Sequence, residues 1–381
     1  MASGTARRSK RARLAPSPAA GNDGPLPAEL LSDILLRLPA KALCRLRLVC
    51  RAWRALTSDP HFAGIHASRH RQPLVAALCK RRGEIHLVDL SGDVVKRMPV
   101  AEARLRDWKS LTTQPGLLCV SEWEGTACVL DAATGAAAVL PADPAVRRRT
   151  KGRPLMSTSV LGRVPSTGEH KVLRIHLHAK SQQTCDAMTL GSGGGGRGRW
   201  RATPRPPMLV TTTFEHRAVV DGVAYFLLDL SCRRVPTSDA IASFDLRTEE
   251  WRSAMLRGPL GNQPGLVHGG HLNDPQLAEL NGFLVTIHRK DRSIDLWFLE
   301  STDKELWTKR YSMRCVPNLN PYIYWSYPLS ILDDGRIVTL GGRVLRAYDP
   351  ETSTWADLAT LQDYCCVGMF KGNLLCSVLN G

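Results

Sequence analysis

Residues 344–355 read VLRAYDPETSTW and residues 241–251 read IASFDLRTEEW, and these two stretches decide the architecture. Each is a short run of strand-forming residues that ends in an aromatic residue and an aspartate, Tyr348-Asp349 and Phe244-Asp245, followed by a polar turn and a tryptophan that opens the next strand, Trp355 and Trp251. The aromatic and the tryptophan are seven positions apart in both. Weaker copies stand at Val88-Asp89, at Leu130-Asp131, at Leu190 before Trp200 across a glycine insertion, and at Leu299-Glu300 before Trp307. A unit that recurs and cannot bury its own faces has to stack on its neighbours, so the expected fold is an all-β propeller of about six four-stranded blades over residues 70–381. The tryptophans are expected to pack between strands. Gly92-Asp93, Asp221-Gly222, Asn281-Gly282, Asp334-Gly335 and Gly372-Asn373 each separate two apolar runs and suit the positive φ of tight hairpin turns. Strands near Val367 to Leu379, with no such unit after them, are expected to complete the blade begun around Ile85 to Met98 and so close the ring.

Ahead of these repeats the period changes. From Leu26 to Phe62 the chain reads LPAELLSDILLRLPAKALCRLRLVCRAWRALTSDPHF, and Leu30, Leu31, Ile34, Leu35 and Leu38 recur at helical spacing with Glu29, Ser32, Asp33 and Arg37 on the wet side. Pro27 suits the start of this helix and Pro39 its end. A second periodic stretch places Leu43, Leu46, Val49, Cys50, Trp53 and Leu56 on one side and ends near Ser58-Asp59-Pro60. Residues 26–68 thus form a small all-α module of two or three helices, too small to bury a sufficient core alone, so its apolar positions call for a partner.

This module resembles the F-box motif, which opens with Leu-Pro, continues through Leu-Leu and Ile-Leu, has Leu-Pro before a lysine and ends in Val-Cys-x-x-Trp. The matching residues are Leu26-Pro27, Leu30-Leu31, Ile34-Leu35, Leu38-Pro39, Lys41, Val49-Cys50 and Trp53, with Ala42 where serine is common. The resemblance implies that Leu26, Pro27, Leu30, Leu31, Ile34, Leu35, Leu38, Pro39, Leu46, Val49, Cys50 and Trp53 bind a Skp1-like protein and, through it, a cullin, with Trp53 also anchoring the module's own core. Residues 70–381 resemble the F-box-associated domain of plant F-box proteins in EHKVLRIH, IASFDLRTEEW, LAELNGFLVTI and IDLWFLE, and the last unit, with Gly341-Gly342 ahead of Tyr348 and Trp355, resembles a kelch repeat. The family resemblance implies the substrate-recognition subunit of an SCF-type ubiquitin ligase, a non-catalytic adaptor that captures an unidentified protein through its propeller.

Composition is compatible with this. No uninterrupted apolar stretch is long enough to cross a bilayer, and the basic run Arg7 to Arg13 passes into a Pro/Ala-rich segment without the apolar core of a secretory signal. Residues 1–25 are expected to be a disordered basic tail, and the protein to reside in the nucleus or cytoplasm. In that setting the 11 cysteines are reduced packing residues, none at C-x-x-C spacing, with Cys365 and Cys366 expected on opposite faces of a strand. A net charge of +16 would suit an acidic partner or a nucleic acid, but the arginines are spread along the chain and no aromatics interleave with the runs Arg7 to Arg13 and Arg147 to Arg153. A nucleic-acid-binding or scaffolding propeller outside the ubiquitin system is therefore the less favoured alternative.

No catalytic residue, cofactor or metal site is assigned. Gly191 to Gly198 lacks the Lys-Ser/Thr and the strand-to-helix setting of a phosphate loop. His176 and His178 share one strand face without a third ligand, and His268 and His271 lie in a long loop that nothing marks as catalytic. A hydrolase or oxidase on a propeller would need a catalytic cluster in the central channel. Candidate target-contacting loops, chosen for length and polarity, are Arg147 to Arg153, Gly191 to Arg199, Ser231 to Asp239 and Gly258 to Asp274.

Overall fold

The computed structural model describes residues 27–70, 73–79, 81–100, 108–122, 125–141, 155–191, 198–229, 239–261, 274–290, 292–315, 326–372 and 374–375. Four helices come first: α1 (Ala28–Leu36), α2 (Ala40–Leu46), α3 (Arg51–Ser58) and α4 (Pro60–Arg69). Pro39 precedes α2, and Asp59 caps α4 by accepting hydrogen bonds from the backbone of His61 (2.9 Å) and Phe62 (3.0 Å), with Pro60 in the first turn. The second periodic stretch is two helices, not one. The chain turns at 47–50, and the Cys50 sulfur, at the N-cap of α3, accepts from the Trp53 N–H at 3.4 Å.

Among the described residues, twenty-four strands follow as six antiparallel sheets of four. The first contains β1 (Leu74–Cys79), β2 (Glu84–Val88) and β3 (Val94–Pro99), and the second β4 (Trp108–Gln114), β5 (Leu117–Glu122), β6 (Ala127–Asp131) and β7 (Ala137–Val139). The third is β8 (Met156–Arg163), β9 (His170–His178), β10 (Gln182–Thr189) and β11 (Arg201–Thr203), and the fourth β12 (Arg217–Val220), β13 (Val223–Leu227), β14 (Ile241–Asp245) and β15 (Glu250–Trp251). The fifth is β16 (Gln276–Leu280), β17 (Phe283–Lys290), β18 (Ser293–Ser301) and β19 (Leu306–Arg314), and the sixth β20 (Tyr327–Ile331), β21 (Ile337–Gly341), β22 (Val344–Asp349) and β23 (Thr354–Thr360). β24 (Tyr364–Phe370) supplies the missing inner strand of the first sheet by pairing with β1. The inner strands β24, β4, β8, β12, β16 and β20 neighbour one another in turn around a central channel, which makes the domain a closed six-bladed propeller.

Closure occurs where the repeats place it, but over Tyr364–Phe370 and not Val367 to Leu379. Past Phe370 the chain leaves the blade, and Leu375 enters the core of the helical module with Leu35, Leu36, Leu43, Phe62 and Ala63. The expectation for Cys365-Cys366 also changes: pairing slips between Leu78 and Cys79, Cys365 becomes the extra residue of a bulge, and both thiols pack on the same cluster between the first two blades.

The repeat acquires a physical meaning here. The carboxylates of Asp89, Asp131, Asp245 and Asp349 each accept two backbone N–H groups of the following turn, as at Asp131 with Ala133 (2.9 Å) and Thr134 (2.8 Å). The tryptophan that follows packs on the aromatic before the acid, with ring centroids 5.2 Å apart for Phe244 and Trp251 and 4.8 Å for Tyr348 and Trp355. Its indole N–H also reaches into the preceding blade. Trp200 donates to the Pro141 carbonyl at 2.6 Å, Trp251 to Pro204 at 2.9 Å, Trp307 to Arg257 at 2.8 Å and Trp355 to Arg314 at 2.8 Å. The tryptophans therefore join blades as well as fill them. The Gly341-Gly342 pair answers a turn requirement, because Gly342 and Arg343 have φ of 57° and 67°, the two positive values of a type I′ hairpin. Asp221-Gly222 and Asn281-Gly282 do the same.

Replacing Trp200, which is buried, with Phe should cost about 1–3 kcal/mol in urea unfolding, since the Pro141 carbonyl loses its donor out of reach of water; Trp355→Phe, at a more exposed bond, should cost less. Stability should also depend on pH through His170 and His288, whose pKa values burial lowers from 6.5 to about 4. Both stay neutral in the fold while the unfolded chain takes up protons, so their contribution is complete above pH 6.5 and is lost as pH falls toward 4, by up to about 3 kcal/mol each. Denaturation midpoints measured between pH 7.5 and 4.5 should fall, and His170→Gln with His288→Gln should flatten the decline.

Candidate functional site

The helical module divides its leucines between an inside and an outside. Leu35 (1 % exposed), Leu36 and Leu43 are fully buried with Phe62 and Ala63, and Leu31, Leu38, Leu46, Trp53 and Leu56 pack half-buried around them. Leu30 (52 % exposed), Ile34 (48 %), Leu48 (88 %) and Val49 (63 %) face outward, as do Pro27, Pro39 and Cys50; Leu26 lies outside the described residues. Leu30 and Ile34 are one turn apart on α1, whereas Leu48 and Val49 project from the corner between α2 and α3. The expected partner set is thus split: Leu35 holds the module together, and Val49 does not share the inner side of Leu43. Leu48 was not among the expected residues. The visible signal was the alternation Leu46-Arg47-Leu48, which breaks helical spacing and puts an apolar side chain off the buried stripe. Fully covering a Leu, Ile or Val side chain is worth about 1.5–3 kcal/mol, so leaving these four in water is a cost that burial against another surface would remove.

The module is fastened to one end of the propeller. Leu74, where β1 begins after α4, pairs with Phe370 at the end of β24, so the helices sit at the end of the channel where the inner strands finish. Ala40 and Cys44 of α2 pack against the cluster between the first two blades. Arg47 donates to the carbonyls of Thr57 (2.6 Å) and Leu375, joining α2, α3 and the C-terminal segment. His66 donates through Nε2 to the Leu38 carbonyl at 2.8 Å, His70 likewise to Leu36 at 2.9 Å, and the two rings stack 4.3 Å apart, tying α4 to the end of α1. Burial lowers the pKa of His66, which keeps this tie in its neutral form.

The opposite end of the channel, where the inner strands begin, carries the connections from each outer strand to the next blade and the hairpins between second and third strands. Arg147 to Arg153, Ser231 to Asp239 and Gly258 to Asp274 occur in connections of these two kinds, whereas Gly191 to Arg199 links β10 to β11 and belongs to the other end. Most of these residues, 147–153, 192–197, 231–238 and 262–273, lie outside the described residues, as do His268, His271 and the basic run from Arg7 to Arg13.

Polar side chains in the third blade are committed to one another. The Ser157 hydroxyl is 2.7 Å from His176 Nδ1, and His176 Nε2 is 3.5 Å from Asp186. This order resembles a hydrolytic triad, yet all three residues are buried. His178 turns to Thr184 at 2.9 Å. Among the described residues no group of three or more His, Cys, Asp or Glu is arranged to hold a metal ion. The thiols of Cys119 and Cys128 are pushed up to about 12 by burial, as inert packing groups would be.

A helical module with an outward apolar face, carried at one mouth of a six-bladed ring, defines an F-box-type protein with a propeller. The chain belongs to the F-box associated β-propeller family, whose description matches residues 88–339, and residues 25–63 match the F-box-like family. It is 26% identical to the F-box protein At3g07870 of Arabidopsis thaliana over 379 residues, covering 87% of each chain. It is 24% identical to the F-box protein At5g49610 of the same plant over 351 residues, covering 88% of this chain and 91% of that one.

Arg47→Ala should loosen the module from the ring. Hydrogen exchange should rise in α2 and α3 while the blades keep their protection, and stability should drop by about 1.5–3 kcal/mol for the lost charged hydrogen bonds.

Proposed function

We propose that this chain is the substrate-recognition subunit of an SCF-type ubiquitin ligase. It docks on a Skp1-like protein through its F-box module, is linked by that protein to a cullin, and presents a target protein from its propeller. The observation that carries this reading is the outward exposure of Leu30 and Ile34 on α1 and of Leu48 and Val49 after α2, on a module anchored at one mouth of the ring. Helices of a partner laid on that face would remove these side chains from water. The opposite mouth, with its longer connections, is left for the target, so that both can bind at once. In this role the chain is a non-catalytic adaptor acting in the nucleus or cytoplasm, and the rate gain comes from the effective concentration at which a tethered target meets a charged enzyme.

Coexpression with a Skp1-like protein should yield a 1:1 complex. Ile34→Asp with Leu48→Asp should weaken it at least a hundredfold without lowering the melting temperature, because neither side chain is in the core; Leu306→Asp, at an exposed site on β19, should leave it intact. A complex that survives the double substitution overturns the assignment of this face.

A further inference from the structure

Arg217, the first residue of β12, stands on the channel wall and is only 5 % exposed. Its side chain crosses the channel mouth to donate through Nη2 to the Ser110 hydroxyl of β4, and its Nη1 is buried with no hydrogen-bond partner. Glu215 lies close enough to act on it through space but forms no salt bridge with it. Burial lowers the Arg217 pKa only to about 10, so the guanidinium remains charged at neutral pH. A buried arginine is almost always paired, because taking a cation out of water without a counter-charge is costly. Among the described residues no carboxylate forms a salt bridge with Arg217, and the space beside the cation is open. The channel cavity holds about 140 Å³, where a single water needs about 10–15 Å³. Its remaining wall near Arg217 includes Thr112, Phe214 and Tyr327, with the Tyr327 hydroxyl spent on the Leu277 carbonyl at 2.5 Å. At the far end Lys371 and Glu279 neutralise each other. A buried positive charge with no salt-bridge partner among the described residues therefore borders a cavity of small-molecule size.

We propose that the propeller channel binds a small oxyanion, a carboxylate or phosphate group of a small molecule, through the fork of Arg217 with Ser110 beside it. Two N–H groups in one plane suit the two oxygens of such a group, and the low dielectric of the channel strengthens the pairing. This site is separate from the F-box face and does not rest on the ligase reading. Its consequence is that occupancy at the mouth opposite the helices would stiffen β4 and β12 against each other.

The test is calorimetric titration of the full-length chain with inorganic phosphate and with malonate, against sodium chloride at matched ionic strength, with thermal melting in parallel. Saturable one-to-one binding of at least one of the two anions is expected, together with a raised melting temperature. Arg217→Met should weaken that binding at least tenfold and, with no anion added, should melt at or above the wild type, since it removes an uncompensated buried charge. Arg217→Lys, which keeps the charge and loses the fork, should weaken binding several-fold and decides the matter if the methionine variant does not fold. Arg336→Met, on the surface, should change nothing. No saturable binding, binding unchanged in the Arg217 variants, or binding of hexaglutamate but of neither small anion would overturn the proposal.

Discussion

The bond from a tryptophan indole to the backbone of the preceding blade is the constraint on which this ring depends. A four-stranded sheet has two faces and two edges to hide, and stacking six of them radially hides the faces only if neighbours keep one fixed tilt. Trp200, Trp251, Trp307 and Trp355 set that tilt four times over, each giving its N–H to a carbonyl at or just beyond the end of the previous outer strand. For Trp251 and Trp355 the aspartate that closes the preceding turn makes the placement reproducible, since its carboxylate fixes the turn from which the tryptophan emerges. Van der Waals packing alone would tolerate a range of tilts. A directed hydrogen bond does not.

Ring closure then determines what lies at each mouth. Because β24 is the last strand and pairs with the first, the chain arriving from α4 and the chain leaving Phe370 meet at the same end of the channel. The F-box module takes advantage of that meeting: Leu375 completes its core and Arg47 holds the segment that delivers it. Four short helices with outward leucines would be poorly stable free in solution. Seated on the ring they are held in one orientation, with the outward apolar side chains still in water.

The interior shows how unevenly the ring treats charge. The buried cations Lys171 and Arg346 pair with Glu249 and Asp357, and the buried carboxylate of Asp295 is met by Lys290 and Lys309 reaching in from the surface. Arg217 has a hydroxyl where Lys171 and Arg346 have carboxylates. A buried cation that meets only a hydroxyl at the channel mouth is the place where an anion from outside the chain would complete the structure.

The sequence by itself determined the modules and their periods. The spacing from aromatic to tryptophan, the aspartate turns and the Asn-Gly and Asp-Gly hairpins are local requirements of backbone geometry, so they were legible one segment at a time, as was the alternation of apolar residues in α1. Only the tertiary structure decided which leucines face outward, that Leu48 joins them while Leu35 does not, and that Leu375 belongs to the helices and not to a strand. It alone brought Arg217 across to Ser110, 107 positions away, and left its second nitrogen unpaired. The reason is physical: period and turn chemistry act over a few residues, whereas burial and charge pairing depend on neighbours that closing the ring brings together.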